Sequence, residues 1–293
     1  MKKFRVQTIM LSGAALAFAV VAAYAQQGQP AAKAPLYNTA RQKLMDGKQI
    51  FSFTQSKFDV TDYCERAKHY DFTWFEMQHS TLEFKDIEAM IAACPHSNAM
   101  PMIRLPDAQE WHIQHTTDIG NIGVIVPTVD DVDRAREAAK WSHYPPMGRR
   151  SVGSGQAGSI WGINGINYRN TINDNILVTV MIETPTGVAN AFDIASVPGI
   201  DVVIIGNADL ASFSGFPQQD DRYWDLVKKV HDDVIRAGKI FGQASAQYAK
   251  GPHSYDARFF QNGPSNDGWV PPNSGRGRGG RGGVNPNAPP PGE

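Results

Sequence analysis

The chain is poor in cysteine, in net charge and in long apolar runs. Two cysteines in 293 residues are too few for a disulfide-dense scaffold or a four-cysteine zinc site. A formal charge of −1, from 28 basic and 29 acidic side chains, excludes a strongly basic nucleic-acid binder at the level of the whole chain. Hydrophobic residues nevertheless make up 42%, ample material for a buried core. The length suits one large domain, since α/β barrels run to this size as single units.

The two ends differ from the middle. Lys2, Lys3 and Arg5 precede an apolar run from Ile9 to Ala23, followed by Ala23-Tyr-Ala25. This order of basic, apolar and small-residue regions predicts a secretory signal peptide over 1–25. At 17 residues, 9–25 lies at the short limit for a spanning helix. Export to a bacterial periplasm or beyond is therefore expected, with no stable membrane anchor after cleavage. Residues 26–47 read as a polar lead-in. Residues 263–293 hold nine Gly and seven Pro, too little apolar surface to offset ordering, and are expected to be a disordered tail. Arg276, Arg278 and Arg281 within it resemble a nucleic-acid-binding element. A solvated tail is the expectation, with no nucleic-acid partner.

The middle, 48–262, alternates short apolar runs with helical patterns. Strands are predicted at 49–53, 72–76, 100–104, 122–126, 177–183, 201–206, 239–243 and 258–261. Helices are predicted at 60–69, 84–94, 108–119, 129–141, 187–195 and 223–237, and a weaker one at 246–255. Such alternation argues for parallel strands with crossover helices. The fold expected is an α/β (β/α)8 TIM barrel lacking a clear eighth helix, with an open doubly wound sheet as the alternative. Residues 142–176 show no clear element.

A barrel keeps its chemistry at the C-terminal ends of its strands. Four predicted ends carry ionisable groups: Glu76 with His79, Arg104, Glu183, and Asp209 just past Gly206. Glu183 and Asp209 lie one β-α-β step apart with no cysteine or histidine beside them. They suit a hard divalent cation, Mg2+ or Mn2+, and each could instead cap the helix that follows. Arg104 is shaped for a bidentate hold on a substrate carboxylate, or for a structural ion pair. His79 could act as a general base. Asp118 could orient its imidazole, or simply end a helix. Gly153-Ser-Gly-Gln-Ala-Gly158 matches a dinucleotide fingerprint, but no strand precedes it. His112, His115 and His231 read as surface residues. Cys64 and Cys94 fall on successive helices and could form a disulfide in an oxidising compartment.

Several segments together resemble the HpcH/HpaI aldolase family, class II pyruvate aldolases on a TIM barrel. They are Phe72-Thr-Trp-Phe-Glu-Met-Gln-His79, Pro101-Met-Ile-Arg104, Gly123-Val-Ile-Val-Pro127, Tyr144-Pro-Pro-Met-Gly-Arg-Arg150, Ile182-Glu-Thr184 and Ile205-Gly-Asn-Ala-Asp-Leu210. The resemblance implies metal ligation by Glu183 and Asp209, with Co2+ a further candidate. It implies that Arg104 holds the pyruvyl unit, and that His79 is the acid/base paired with Asp118. Gly206, Ala208 and Asp209 would receive the substrate carboxylate of a 2-oxo acid. A homo-oligomer is also implied. Where the family usually has Asp-x-Glu-His-Gly, this chain has Glu76-Met-Gln78-His-Ser80, and where it usually has Gln and Pro, this chain has Met181 and Asn207.

The expected activity is an exported metal-dependent lyase that cleaves a 4-hydroxy-2-oxo acid to pyruvate and an aldehyde. Two rivals are a non-catalytic barrel that binds a small carboxylate and a citrate lyase β-like acyl-CoA lyase. A signal peptide counts against the second, because CoA thioesters are not expected outside the cytoplasm. Retention of every site role counts against the first.

Overall fold

Apolar runs bounded by turn residues become strands. They are β1 (Ile50–Gln55), β2 (Phe72–Glu76), β3 (Met100–Arg104), β4 (Gly123–Val126), β5 (Leu177–Ile182), β6 (Val202–Ile205), β7 (Ile240–Gln243) and β8 (Phe259–Phe260). The computed structural model describes residues 36–153, 155–162 and 167–271. The signal-peptide reading and the arginine-bearing tail lie outside them. All neighbouring strands pair in parallel, and β8 returns to β1 through Ile50↔Phe259 and Phe51↔Phe260. That closure makes the sheet a barrel and excludes the open doubly wound alternative. Strands β2, β5 and β6 are buried at every position, as strands covered on both faces must be. Phe72 and Trp74 meet Phe259 with ring centroids 4.6 and 6.4 Å apart.

The helices are α1 (Thr39–Met45), α2 (Val60–Arg66), α3 (Phe84–Ala93), α4 (Glu110–Asp118), α5 (Val132–Ser142), α6 (Ala157–Trp161), α7 (Ile172–Asn175), α8 (Pro185–Ala189), α9 (Ala191–Ala195), α10 (Asn207–Ser214) and α11 (Asp221–Arg236). Helix α11 shows why they pack. Tyr223, Val227, Val230 and Val234 recur at helical spacing and are buried, while Asp220 caps the N-terminus by accepting the Arg222 N–H. A disulfide joins Cys64 in α2 to Cys94 at the end of α3, with Cα atoms 5.8 Å apart. Among the described residues no helix is long and apolar enough to cross a membrane.

The packed part of the chain extends beyond 48–262 at both ends. In the expected lead-in, Asn38 caps α1, and Ala40 and Leu44 are fully buried. Arg41 pairs with Asp201 at 2.8 Å and Lys43 with Asp71. Asp201 and Asp71 immediately precede β6 and β2, so α1 covers the N-terminal end of the barrel. The start of the expected tail is also packed. Asn266 donates its N–H to the His69 carbonyl at 2.8 Å, and Trp269 stacks on His69 at 4.5 Å. These polar-looking segments gain order from partners distant in sequence.

Three local expectations change. Residues 246–255 form one 3-10 turn, Ala246–Tyr248, and no longer helix, because Gly251-Pro252 breaks the pattern. Residues 187–195 divide into α8 and α9 at Asn190, whose side chain donates to the Asp130 carbonyl. Residues 142–176 contain α6, α7 and the 3-10 turn Tyr168–Asn170. No helix follows β8 among the described residues, in keeping with the expected missing eighth helix.

Candidate active site

The strand register brings the first pair together. Glu76 and Arg104 end adjacent strands and are direct partners across β2 and β3. Both are buried, which obliges them to pair. Arg104 Nε and Nη2 donate to Glu76 Oε2 at 2.7 and 2.5 Å. Trp74 Nε1 adds a third bond to that oxygen at 3.1 Å. Glu76 Oε1 accepts the His79 N–H at 3.0 Å. One carboxylate therefore fixes the guanidinium and the turn that carries His79, whose ring is exposed at the barrel mouth.

Glu183 follows β5 and is buried. Its Oε2 accepts the Thr128 N–H at 2.7 Å and the Thr128 hydroxyl at 3.0 Å. Thr128 has φ +50°, a strained conformation for a β-branched residue that aims its N–H at the carboxylate. Gly206 makes room on the other side: a Cβ there would lie 2.2 Å from Glu183 Oε1. Burial raises the Glu183 pKa above the usual carboxylate range. The Thr128 bonds oppose that rise, the Asp209 charge adds to it and Arg104 opposes it. Glu183 thus feels the charges of both Asp209 and Arg104.

Asp209 sits in the first turn of α10, half-buried, with Gly206 as N-cap and Ala208 exposed beside it. The unpaired first-turn N–H groups there favour an anion. Two hard carboxylate oxygen donors, one of them raised in pKa chiefly by burial, suit a hard divalent cation. Among the described residues no group of three or more His, Cys, Asp or Glu side chains is placed to hold a metal ion. A cation here would complete its shell with water and substrate oxygens.

Asp118 is not brought beside His79 within the chain. It lies at the C-terminal end of α4, which returns from the end of β3 to the start of β4, so within the chain it is at the opposite end of the barrel from His79. There it pairs with Arg150 at 3.0 Å and accepts from Gln114 at 2.6 Å. Gly153 and Gly155 pack against it; a Cβ at either would lie 2.1 Å from Asp118 atoms. The first two glycines of the dinucleotide-like motif serve this close approach. A cleft of about 710 Å³ opens at the same end of the barrel, lined by Tyr37, Lys43, Asp71 and Trp161 among others. It holds none of the candidate site residues, and strand-end geometry decides for the other face.

Comparison with known proteins gives the family. A family model described as HpcH/HpaI aldolase/citrate lyase matches residues 55–263. The chain belongs to that family. A 2-keto-3-deoxy-L-rhamnonate aldolase from Shigella sonnei is 30% identical over 219 residues, 74% of this chain and 81% of that protein. A 2-dehydro-3,6-dideoxy-6-sulfogluconate aldolase from Pseudomonas putida is 28% identical over 200 residues, 68% and 76% of the two chains. A solved HpcH/HpaI aldolase from Desulfitobacterium hafniense shares the fold, with a TM-score of 0.68 at 23% identity over 78% of this chain and 91% of that one. The HpcH/HpaI relatives are aldolases and lyases, which supports an enzyme here.

Sequence reasoning gave Glu76 no role and missed Thr128. The signal for Glu76 was present, since a carboxylate ending an apolar strand needs a partner and the next strand ends in Arg104. Thr128 carried no signal, because its strained φ exists only in the folded chain.

Proposed function

We propose that the protein is a divalent-metal-dependent lyase that cleaves a 4-hydroxy-2-oxo acid to pyruvate and an aldehyde. The observation that carries this reading is the buried Glu183, aimed by Thr128 and packed against Gly206 at the start of the helix that bears Asp209. Glu183 and Asp209 would hold Mg2+ or Mn2+, which when bound polarises the 2-oxo group as a Lewis acid. Arg104, locked by Glu76, donates hydrogen bonds to the pyruvyl oxygens, where negative charge develops. The N–H groups of Ala208 and Asp209 at the start of α10 receive the substrate carboxylate. His79 takes the proton from the 4-hydroxyl. The C3–C4 bond then breaks, its electron pair moves to C3 and the aldehyde leaves. Protonation at C3 gives pyruvate. We place the enzyme outside the cytoplasm, as the N-terminal pattern suggests. The Cys64–Cys94 bond supports that, since disulfides persist in oxidising compartments.

The test is pyruvate release from a panel of 4-hydroxy-2-oxo acids with Mn2+ or Mg2+, and with EDTA. Release should require the metal. Glu183→Gln and Asp209→Asn should each lower kcat/KM by about 100-fold or more. No metal-dependent release across the panel would sink the reading, and unchanged rates in the variants would refute the ligands.

A further inference from the structure

Asn207 is the first residue of α10, between Gly206 and the Ala208-Asp209 pair. It is buried, and both ends of its amide are engaged. Nδ2 donates to the Tyr223 hydroxyl at 2.9 Å and to Gln243 Oε1 at 3.3 Å. Oδ1 accepts the Ser245 N–H at 3.2 Å. Its carbonyl accepts from Gln218 Nε2 at 3.0 Å. Gln243, fully buried at the end of β7, donates onward to the His253 carbonyl at 2.7 Å. One side chain therefore joins the end of β6 to β7, to α11 and to the helix-poor segment that follows β7.

The need for this junction is physical. Beyond Asn207, Ala208 is exposed and Asp209 half-buried, so packing holds the first turn of α10 weakly. Proline at the first helical position would fix φ covalently. Asparagine leaves φ free and substitutes a web of buried hydrogen bonds, which is rigid only when every member is satisfied. We infer that Asn207 is a positioning residue: by tying the start of α10 to Tyr223 and Gln243, it fixes the Asp209 carboxylate relative to Glu183. This rests on the reading of those two carboxylates as cation ligands.

The experiment is calorimetric titration of the metal-free full chain with Mn2+, alongside its melting temperature. Wild type should bind. Asn207→Ala should weaken binding about 10–100-fold, as loss of a residue that orients a ligand does. Asn207→Pro should melt lower, as Asn207→Ala does, because Tyr223, Gln243 and Ser245 lose their partner. It should nonetheless keep Mn2+ affinity within about three-fold of wild type, because proline fixes the N1 backbone. Asn207→Ala binding within about two-fold of wild type would overturn the inference. So would equal loss of affinity in both variants, the mark of a merely structural role. Should Asn207→Ala not fold, Tyr223→Phe removes one hydroxyl, and unchanged Mn2+ affinity there overturns the inference too. If wild type itself does not bind Mn2+, the proposed function fails and this inference falls with it.

Discussion

Glu76 shows how much one residue can organise. It accepts from Arg104, Trp74 and the His79 N–H, all from within a buried corner of the barrel. Its carboxylate neutralises Arg104, and that ion pair holds the guanidinium at a single orientation. A buried pair of this kind is costly to break, at about 3–5 kcal/mol when one partner is removed, because the other charge is stranded. Glu76→Gln keeps an acceptor oxygen but removes the charge. It should lower kcat/KM by about 10–100-fold and reduce the melting temperature. Glu76→Asp should retain more of both, because it keeps the charge. Steady-state kinetics and thermal unfolding of the two variants check this, and equal behaviour of Gln and Asp would remove charge from the account. At this scale the sequence was partly legible. Glu183, Asp209, Arg104 and His79 stand out because ionisable groups are conspicuous at the ends of apolar runs. Asp118 stays apart from His79 within the chain, and its position along a helix said nothing of which end of the barrel that helix reaches.

At the scale of elements, long periodic segments were readable and short ones were not. Helix α11 has apolar residues at regular spacing and a capping aspartate, so its own sequence specifies it. Helix α1 and the split of α8 from α9 depend on contacts made from far away. The Asn38 amide donates to the Asn175 carbonyl, and Asn190 to that of Asp130. The disulfide belongs to this scale as well. It closes a loop of 30 residues between α2 and α3, for which the chain-entropy model gives about 3–4 kcal/mol. The Cys64→Ser/Cys94→Ser double variant should therefore melt roughly 6–15 °C lower, using about 2–4 °C per kcal/mol for a domain of this size. Thermal unfolding of that variant, and of wild type with and without reductant, checks it. Identical midpoints would mean that the bond constrains nothing in the unfolded chain.

At the scale of the whole molecule, the barrel is closed by segments that look dispensable in sequence. Residues 36–47 cover its N-terminal end, and 263–269 run back from Phe51 in β1 to His69 and Asp71 in the turn before β2. Gly263 fits against Phe51, and Asp267 bonds His69 at 2.7 Å. Truncation after Pro271 should leave the melting temperature within about 2 °C, because the remaining Gly/Pro-rich residues have little apolar surface to bury. Truncation after Asn262 removes the stack of Trp269 on His69 and should cost several degrees, for a loss of about 1–3 kcal/mol. Equal midpoints for the two truncations would show that 263–271 contributes nothing. Local pattern alone sufficed for the parallel strand–helix alternation, for the lack of a helix after β8 among the described residues and for four charged strand ends, because periodicity and the cost of burying a charge are local facts. That Glu76 holds Arg104, that Thr128 aims at Glu183 and that Asp118 lies at the far end of the barrel follow from the folded chain alone. Those outcomes depend on register and on barrel closure, which bring together residues that no local pattern relates.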